Sequence, residues 1–379
     1  MRQGRIYPPC RDPCPVIREI MQAKDKGRSW IVREYDLNSP GVLLAEFNRN
    51  FNLDKKDKFW EWKYLNNPNG KAVIFVADAG GKIAGSYAII PYYLKVGEKV
   101  YYASEGADAF TSPLFRKQGI FAVLGMEIIK HSKKLGMDLN FSFPIPAAMS
   151  GHRNAGCIEV GAFYTYFFRT GYGYLFKRIL GDGVLSFLAG RAVSAAFRAL
   201  AGLTGKSAGT GNIEVSVCRR FTGEHYSLWD RVSRDFTVIV RRDEKYMNWR
   251  FINNPDEVYT VLDCRIKGEL AGYAILKFKD EAGVKTGCIA DFLVSPGLGA
   301  EAPFIAGIVE HIRKSGAEKA IYSLFGGAIY SKCFEAAGFK KIDSELTAVV
   351  YETEKQSIFD EYLKDTSGWY FTLGDSDAF

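Results

Sequence analysis

An internal repeat constrains the fold of this sequence more than any other feature. The heptapeptide WKYLNNP at Trp62–Pro68 returns as WRFINNP at Trp249–Pro255, an offset of 187 residues (62 to 249). An offset that changes only slowly along the chain indicates a duplicated domain with small loop insertions and deletions. Two further matches lie at similar offsets: Ala107-Asp108 with Ala290-Asp291, and Ala155-Gly156 with Ala337-Gly338. The chain is therefore predicted to contain two copies of one fold.

Length and composition agree with two globular domains. The 379 residues exceed one ordinary core, and 47% hydrophobic residues with 27 Phe and 21 Tyr exclude general disorder. The net charge of +7 is spread along the chain without a long basic run, so nucleic acid is not an expected partner. Seven cysteines without a C-x-x-C pair predict reduced thiols in a cytoplasmic protein. No metal site is expected, because Cys10 and Cys14 lack a second pair of ligands.

Composition also sets the expected domain boundaries. They are a leader at 1–28, a first domain at 29–171, a linker or insert at 172–210 and a second domain at 211–379. The linker is apolar and rich in glycine, but Arg191 and Arg198 disfavour a transmembrane helix. Seven residues apart, the two arginines share one face of an amphipathic helix. Such a helix packs either on the protein or, as a peripheral contact through 172–209, on an anionic membrane surface.

Each copy is predicted to be an α/β (α+β) domain with a mixed, mostly antiparallel sheet flanked by helices. Strand-like segments come first, and hydrophobic spacing then changes to a helical period after Gly119. The expected elements of the first copy are strands at 72–77, 82–93 and 100–110, a helix from Gly119 to Gly136, a strand at 138–143, a helix at 147–155 and closing strands within 157–168. The second copy repeats the pattern with a helix at 302–314, a strand at 320–324 and a helix at 328–337.

The segment Ser104–Leu124 carries the clearest chemical signal. A strand ending at Ser112-Pro113 leads into a basic turn, Arg116-Lys117-Gln118-Gly119, which opens an apolar helix. Amides at a helix N-terminus, the helix dipole and two added cations together favour a bound anion such as a pyrophosphate. This turn is therefore the predicted anion site.

The same residues resemble a known cofactor motif. Arg116-x-x-Gly119-x-Phe121 is similar to the R/Q-x-x-G-x-G/A motif of the GNAT superfamily of acyl-CoA N-acyltransferases, and Ala155-Gly156 resembles the end of its closing helix. Phe121 departs from the usual Gly or Ala. The resemblance covers about 125 residues of each copy. It implies two tandem GNAT-like domains, and the Trp62–Pro68 segment further resembles a branch associated with surface-polysaccharide synthesis.

The resemblance implies positions for an acyl-CoA, most simply acetyl-CoA. Phe110 and Thr111 would lend backbone groups to the pantetheine arm, and the turn from Arg116 through Lys117, Gln118, Gly119 and Ile120 to Phe121 would hold the pyrophosphate. The second copy has Pro296–Glu301 (PGLGAE) at the corresponding turn. This turn has no basic residue and gains a carboxylate that would repel pyrophosphate. Cofactor binding is therefore assigned to the first copy, and the second copy is expected to be a scaffold or an acceptor-binding half.

Three residues are candidates for acid–base chemistry. The amine acceptor must lose a proton, and Glu105 and Asp108 are the carboxylates near the expected acyl end. Asp108 has a counterpart in the second copy, Asp291, which favours a structural role, whereas Glu105 corresponds to Cys288. His152 stands four residues before Gly156, where the resemblance implies a tyrosine that protonates the departing thiolate. The choice between Glu105 and Asp108 stays open, with Glu105 preferred.

The sequence thus predicts an acyl-CoA-dependent N-acetyltransferase that acts on a small-molecule amine such as an amino sugar. Two alternative functions are also compatible with the sequence. One is aminoacyl transfer from aminoacyl-tRNA, and the other is a non-enzymatic membrane-surface module for polysaccharide assembly. Trp62 and Trp249 are expected in a core rather than in the acceptor cleft. The aromatic, acidic C-terminus at 369–379 is either a docking tail or an edge of the acceptor site.

Overall fold

A computed structural model describes residues 29–171, 213–281, 283–353 and 358–377. The strands are β1 Ile31–Glu34, β2 Val73–Asp78, β3 Ile83–Val96, β4 Lys99–Thr111, β5 Leu139–Ser142, β6 Ile158–Arg169, β7 Ile213–Cys218, β8 Val238–Val240, β9 Tyr259–Ile266, β10 Glu269–Glu281, β11 Val284–Val294, β12 Lys319–Gly326, β13 Lys340–Glu352 and β14 Trp369–Thr372. The helices are α1 Gly41–Phe51, α2 Asp57–Trp60, α3 Ile120–Lys134, α4 Pro146–Asn154, α5 Gly223–Val232, α6 Glu244–Met247, α7 Glu301–Lys314 and α8 Ala328–Ala336. No helix among these residues is long and apolar enough to cross a membrane.

The chain forms two compact units that are not contiguous in sequence. Of the described residues, the first unit takes 29–162 with 345–353 and 358–366, and the second takes 163–171, 213–281, 283–344 and 367–377. The boundaries predicted from composition, 29–171 and 211–379, are contiguous and so differ from this division. The difference arises because β6 and β13 each pass from one unit into the other along the chain. The predicted leader at 1–28 and linker at 172–210 lie outside the described residues.

The first unit is built on a sheet of order β1-β2-β3-β4-β5-β13. The neighbours pair antiparallel except for β4 and β5, which are parallel. Apolar side chains on one face of the sheet, including Tyr87 and Ile89, pack against Ile120, Leu124 and Ile128 of α3. Strand β13 comes from near the C-terminus of the chain, and its residues 349–352 pair with β5. The distant strand is therefore an integral part of this sheet.

The second unit has the corresponding order β7-β9-β10-β11-β12-β6. Its only parallel pair among these neighbours in the described chain is β11 with β12, matching β4 with β5. Here the last place is taken by β6, whose residues 164–169 pair with β12. Each sheet is thus completed by a closing strand from the other half of the sequence.

The repeated heptapeptide folds alike in both units. In each unit a short helix, α2 or α6, continues as a π-helical turn, Glu61–Leu65 in the first and Asn248–Ile252 in the second. The turns end with backbone hydrogen bonds from Asn66 to Glu61 and from Asn253 to Asn248. Trp62 and Trp249 are 9% and 6% exposed, as their predicted core role requires.

The local predictions agree with the structure to within a few residues. The strands, helix α3 with Gly136 in the left-handed conformation (φ 72°), helix α4 and their counterparts in the second unit all form as expected. One prediction was wrong in detail, because the segment 157–168 forms a single continuous strand, β6, rather than several.

Candidate active site

Strands β4 and β5 separate to form a wedge in the first unit. Their parallel pairing is limited to Ala103, Ser104 and Glu105 of β4, opposite 139–141 of β5. Strand β4 continues to Thr111, paired with β3, whereas β5 ends at Ser142. Residues 107–111 of β4 therefore have one side without a strand neighbour among the described residues.

A β-bulge in β4 accounts for the separation. Ser86 pairs with Phe110 and Ala88 with Ala107, so Asp108 and Ala109 together oppose a single residue of β3. Asp108 has a positive φ of 50°. An extra residue bends and twists the bulged strand, which turns β4 away from β5 at this point.

The apex of the wedge requires a glycine. A Cβ atom added to Gly106 would lie 2.4 Å from Ser142 Oγ and 2.6 Å from Tyr87 Oη. Ser142 Oγ also donates a hydrogen bond to the Gly106 carbonyl at 3.1 Å. Two hydroxyl groups thus approach the β4 backbone where the strands part.

The predicted anion turn lies at the end of β4. Arg116, Lys117 and Gln118 are exposed, and Lys117 and Gly119 have positive φ angles of 64° and 74° that bend the loop before α3 begins at Ile120. The first amides of an α-helix have no intrahelical acceptor, so those at Ile120 and Phe121 are available to an anion. Gln118 Oε1 accepts a hydrogen bond from Trp30 Nε1 at 3.0 Å, which ties the turn to the chain before β1.

Phe121, which stands where the GNAT motif has Gly or Ala, packs against a glycine on α4. Its ring lies so close to Gly151 that an added Cβ there would be 2.4 Å from Cδ1 of Phe121. The same ring lies edge-on to His152 at a centroid distance of 5.0 Å and tilted to Tyr87 at 5.3 Å. The large side chain is accommodated because a small residue faces it.

The carboxylate of Asp108, in the bulge of β4, contacts two residues of the repeated heptapeptide. Lys63 Nζ lies 2.7 Å from Asp108 Oδ2, and Tyr64 Oη donates to the same oxygen at 2.6 Å. The side chains of Lys63 and Asp108 are only 5% and 9% exposed. These contacts support the structural role predicted for Asp108.

Glu105, the other candidate base, is 1% exposed and lies in the paired part of β4. Phe110 is buried and packs edge-on against Phe51, and Thr111 is half-buried.

His152 is buried on α4 and joined to a residue that sequence reasoning missed. Its Nδ1 atom lies 2.6 Å from Oη of Tyr351 on β13, a hydrogen bond between residues 199 positions apart. Burial lowers the pKa of His152 to about 4, so the imidazole is neutral at pH 7 and is not an imidazolium acid for a departing thiolate. No local pattern marks Tyr351, and only the closing-strand position of β13 in the repeat could have drawn attention to it.

The corresponding strand of the second unit, β11, also has a bulge, but its extra residue is Ala290, next to Asp291, and the surroundings differ. Asp291, the counterpart of Asp108, accepts two hydrogen bonds from Arg242 at 2.8 and 3.0 Å and one from Tyr273 at 2.9 Å. Arg242 also contacts Asp375 at 2.9 Å. All four side chains are buried. Buried charges of this kind persist when they are paired, so Asp291 serves the fold rather than chemistry.

The C-terminal segment fills the wedge of the second unit. Leu324 of β12 pairs with Tyr164 on one side and with Thr372 of β14 on the other, so β14 lies on the side of β12 that faces β11. Tyr370 of β14 bonds to Tyr322 Oη at 2.7 Å and to the Phe292 carbonyl on β11. Strand β14 therefore occupies the place where the described part of the first unit has no strand.

Three side chains of the second unit lie close enough to share a metal ion: Cys218, His225 and Asp263. His225 Nε2 is 3.1 Å from Asp263 Oδ1 and 3.8 Å from Cys218 Sγ. Burial favours the neutral ring, but the hydrogen bonds to Asp263 and Cys218 outweigh it and raise the pKa of His225 to about 9. Whether the ring is neutral or charged, Nε2 carries the hydrogen that Asp263 accepts. A metal would have to displace that hydrogen, so the set fits a hydrogen-bonded helix cap at Thr222 better than a metal centre.

The predicted site residues do not line the surface hollow of about 760 Å³ on the first unit. That hollow is formed by the last turns of α3 with β1 and β2, and its lining residues are Glu34, Phe75, Glu127, Lys130, His131, Lys133 and Lys134. The wedge and the hollow are therefore different places on the unit.

Comparison with known proteins agrees with this geometry. Residues 43–158 match a family model described as acetyltransferase (GNAT) domain. The matched segment includes the wedge, the anion turn and α4, and it covers less than half of the chain. No curated protein matches the chain.

Solved structures resemble a larger part of the chain. A GCN5-related N-acetyltransferase from Anabaena variabilis has 12% identity and a TM-score of 0.61, covering 86% of this chain and 73% of that one. A probable N-acyltransferase from Enterococcus faecalis has 13% identity and a TM-score of 0.58, covering 87% and 74%. Saccharomyces cerevisiae N-myristoyltransferase with bound myristoyl-CoA has 11% identity and a TM-score of 0.57, covering 86% and 81%. At such identities the likeness shows the fold alone: a GNAT-type acyltransferase fold.

Proposed function

We propose that this protein is an acyl-CoA-dependent N-acyltransferase whose first unit binds the cofactor. The observation that carries the proposal is the wedge between β4 and β5, which ends beside the exposed Arg116 and Lys117 and the N-terminus of α3. An extended pantetheine arm suits the side of β4 that has no strand neighbour among the described residues, and a pyrophosphate suits the basic turn. The GNAT domain match over 43–158 contains all of these residues.

We further propose that the two units are tandem copies of the GNAT fold. The matching sheet orders, the matching parallel strand pairs and the repeated π-helical turns support a duplication. In the second unit β14 lies where the cofactor arm would lie, and the anion turn lacks a basic residue. One chain is therefore expected to bind one acyl-CoA.

The acyl group and the acceptor are finer proposals. Acetyl-CoA is the simplest donor. The structural neighbour with bound myristoyl-CoA supports acyl-CoA use without setting the chain length. A small-molecule amine such as an amino sugar is the proposed acceptor, on the strength of the resemblance of the Trp62–Pro68 segment.

The proposed reaction is direct transfer. The amine nitrogen forms the new C–N bond as the C–S bond breaks, and the electron pair leaves on sulfur. Asp108 holds the bulge through Lys63 and Tyr64, so we assign to Glu105 the uptake of the amine proton through water. That proton passes on to solvent or to the thiolate. The variant Glu105→Gln should lose most of kcat and keep cofactor affinity.

Calorimetry with acetyl-CoA, longer acyl-CoAs and free CoA tests cofactor binding directly. The parent chain should bind at one site, and the variant Arg116→Glu with Lys117→Glu should lose at least tenfold in affinity because charge reversal repels the pyrophosphate. The matched control reverses two exposed cations of the second unit, Arg219→Glu with Lys332→Glu, and should bind like the parent.

Absence of binding by every acyl-CoA would refute the proposal and favour aminoacyl transfer. Equal losses in the variant and the control would refute the assignment to the first unit. A panel of amino sugars, nucleotide-linked amino sugars and simple amines, assayed by thiol release, then identifies the acceptor class.

A further inference from the structure

The imidazole of His152 has one engaged nitrogen and one free nitrogen. Nδ1 shares the 2.6 Å hydrogen bond with Tyr351 Oη, and no described residue forms a hydrogen bond with Nε2. Each of the two side chains is only 4% exposed. A ring nitrogen without a protein partner is normally satisfied by water or by a ligand, so Nε2 is suited to contact a bound molecule.

The chemistry of the pair fixes which atom holds the hydrogen. A phenol is the stronger hydrogen-bond donor of the two groups, and an unprotonated imidazole nitrogen is the stronger acceptor. Tyr351 Oη also shares a hydrogen bond with the hydroxyl of Tyr87; because the imidazole nitrogen is a better acceptor than a phenol oxygen, Tyr351 accepts from Tyr87 and donates to Nδ1, and the neutral ring carries its own hydrogen on Nε2. Burial lowers the pKa of His152 to about 4, which keeps the ring in this neutral form at pH 7.

Two aromatic side chains also pack against the imidazole ring of His152. Phe121 lies edge-on to His152 at a centroid distance of 5.0 Å, and Tyr87 lies edge-on at 6.3 Å. Tyr87 is the residue of β3 that faces the bulge in β4, and its hydroxyl approaches the apex glycine, Gly106. The imidazole is thus fixed next to the residues that form the apex of the wedge.

We infer that Tyr351, supplied by the closing strand β13, is a positioning residue that fixes His152 as the Nε2–H tautomer, so that Nε2–H donates a hydrogen bond to the acyl thioester. This inference rests on the proposed acyl transfer. The hydrogen stays on Nε2 throughout, because a neutral imidazole N–H is too weak an acid to protonate a thiolate. It stabilises the negative charge that develops as the C–S bond breaks.

Nitrogen NMR of the full chain with labelled histidine, combined with kinetics, tests the inference. The four His residues are separated by assigning His152 through its loss in His152→Gln. The parent should show the Nε2–H tautomer at His152, and Tyr351→Phe should show a mixture of tautomers. The same variant should lose about tenfold in kcat with little change in KM for the acyl-CoA. Tyr35→Phe is the matched control, since it removes another buried hydroxyl of the first unit, bonded to the Ser39 carbonyl at 2.9 Å, and should leave both measurements unchanged.

The outcomes separate the inference from the proposed function. An Nδ1–H tautomer in the parent, an unchanged tautomer in Tyr351→Phe, or an unchanged kcat in that variant would each overturn the inference while the parent still turns over. A parent that neither binds nor consumes any acyl-CoA would defeat the proposed function, and the role inferred for Tyr351 would fall with it.

Discussion

Lys63 Nζ lies 2.7 Å from Asp108 Oδ2, across 45 positions of sequence and in a nearly dry environment. The pair joins the repeated heptapeptide to the bulge that separates β4 from β5. In the second unit, Arg242 binds the carboxylate of Asp291, the counterpart of Asp108. Arg250, which stands at the position of Lys63 in the repeated heptapeptide, instead donates to the Ser376 carbonyl at 2.8 Å. The buried carboxylate, which lies in the bulge of the first unit and beside the bulge of the second, is thus paired with a cation in both units, and that cation comes from a different position in each.

Removing the Lys63 cation should lower the free energy of unfolding. Lys63→Met leaves the Asp108 carboxylate buried without its ion pair, and we expect the free energy of unfolding to fall by roughly 3 kcal/mol. Urea denaturation measures the change. The double variant Lys63→Met with Asp108→Asn should recover part of the loss, whereas Lys130→Met, which breaks the exposed pair with Glu127, should cost less than about 1 kcal/mol. A loss for Lys63→Met as small as that for Lys130→Met would contradict the assignment.

Gly151 should not tolerate a methyl group. Its Cβ would lie 2.4 Å from Phe121 Cδ1, so Gly151→Ala is expected to cost about 1–3 kcal/mol despite the better helix propensity of alanine. Adding Phe121→Ala should relieve the clash and recover part of the stability. Gly223→Ala is the control, because nothing lies within 4 Å of its added Cβ. Thermal unfolding distinguishes the variants, and an unaffected Gly151→Ala would show that Phe121 moves freely.

His152 should make the chain less stable in mild acid. Burial lowers the folded-state pKa of His152 from 6.5 to about 4, so the unfolded chain binds the extra proton first as the pH falls. Stability should therefore decline from pH 6.5 to 4, by about 3 kcal/mol in total, with no further contribution from this group at lower pH. The difference in unfolding free energy between the parent and His152→Gln, measured across that range, isolates the effect. A constant difference would mean that the ring is not shielded from water.

The C-terminal strand should be held by Tyr370. This side chain is fully buried and bonds to Tyr322 and to the Phe292 carbonyl. We expect Tyr370→Phe to cost about 1–2 kcal/mol through the lost hydroxyl and Tyr370→Ala about 3–5 kcal/mol through the lost ring. Limited proteolysis with mass spectrometry should detect cleavage near β14 in Tyr370→Ala and not in the parent. Equal resistance of all three proteins would show that β14 is held by its strand pairing alone.

The sequence by itself determined the local elements and the anion turn. The repeated heptapeptide predicts a duplication, the apolar spacing and Gly136 predict helix α3, and the residues of Arg116–Gly119 predict the turn. These features depend on neighbours within a few positions, where side-chain periodicity and backbone preference decide the conformation. The match of 43–158 to a GNAT domain agrees with that prediction. The tandem arrangement, the acyl group and the acceptor stay predictions.

Tertiary structure alone decided which strands close the two sheets and which residues meet at the wedge. Nothing in the local sequence of β13 says that it pairs with β5, about 200 residues earlier. The contact of Tyr351 with His152 spans 199 positions, and the pairing of β14 with β12 also joins segments that are not neighbours in sequence. Alternating side chains specify the faces of a strand and leave its partner open, because backbone hydrogen bonds are alike in every strand and only packing against particular neighbours selects among them.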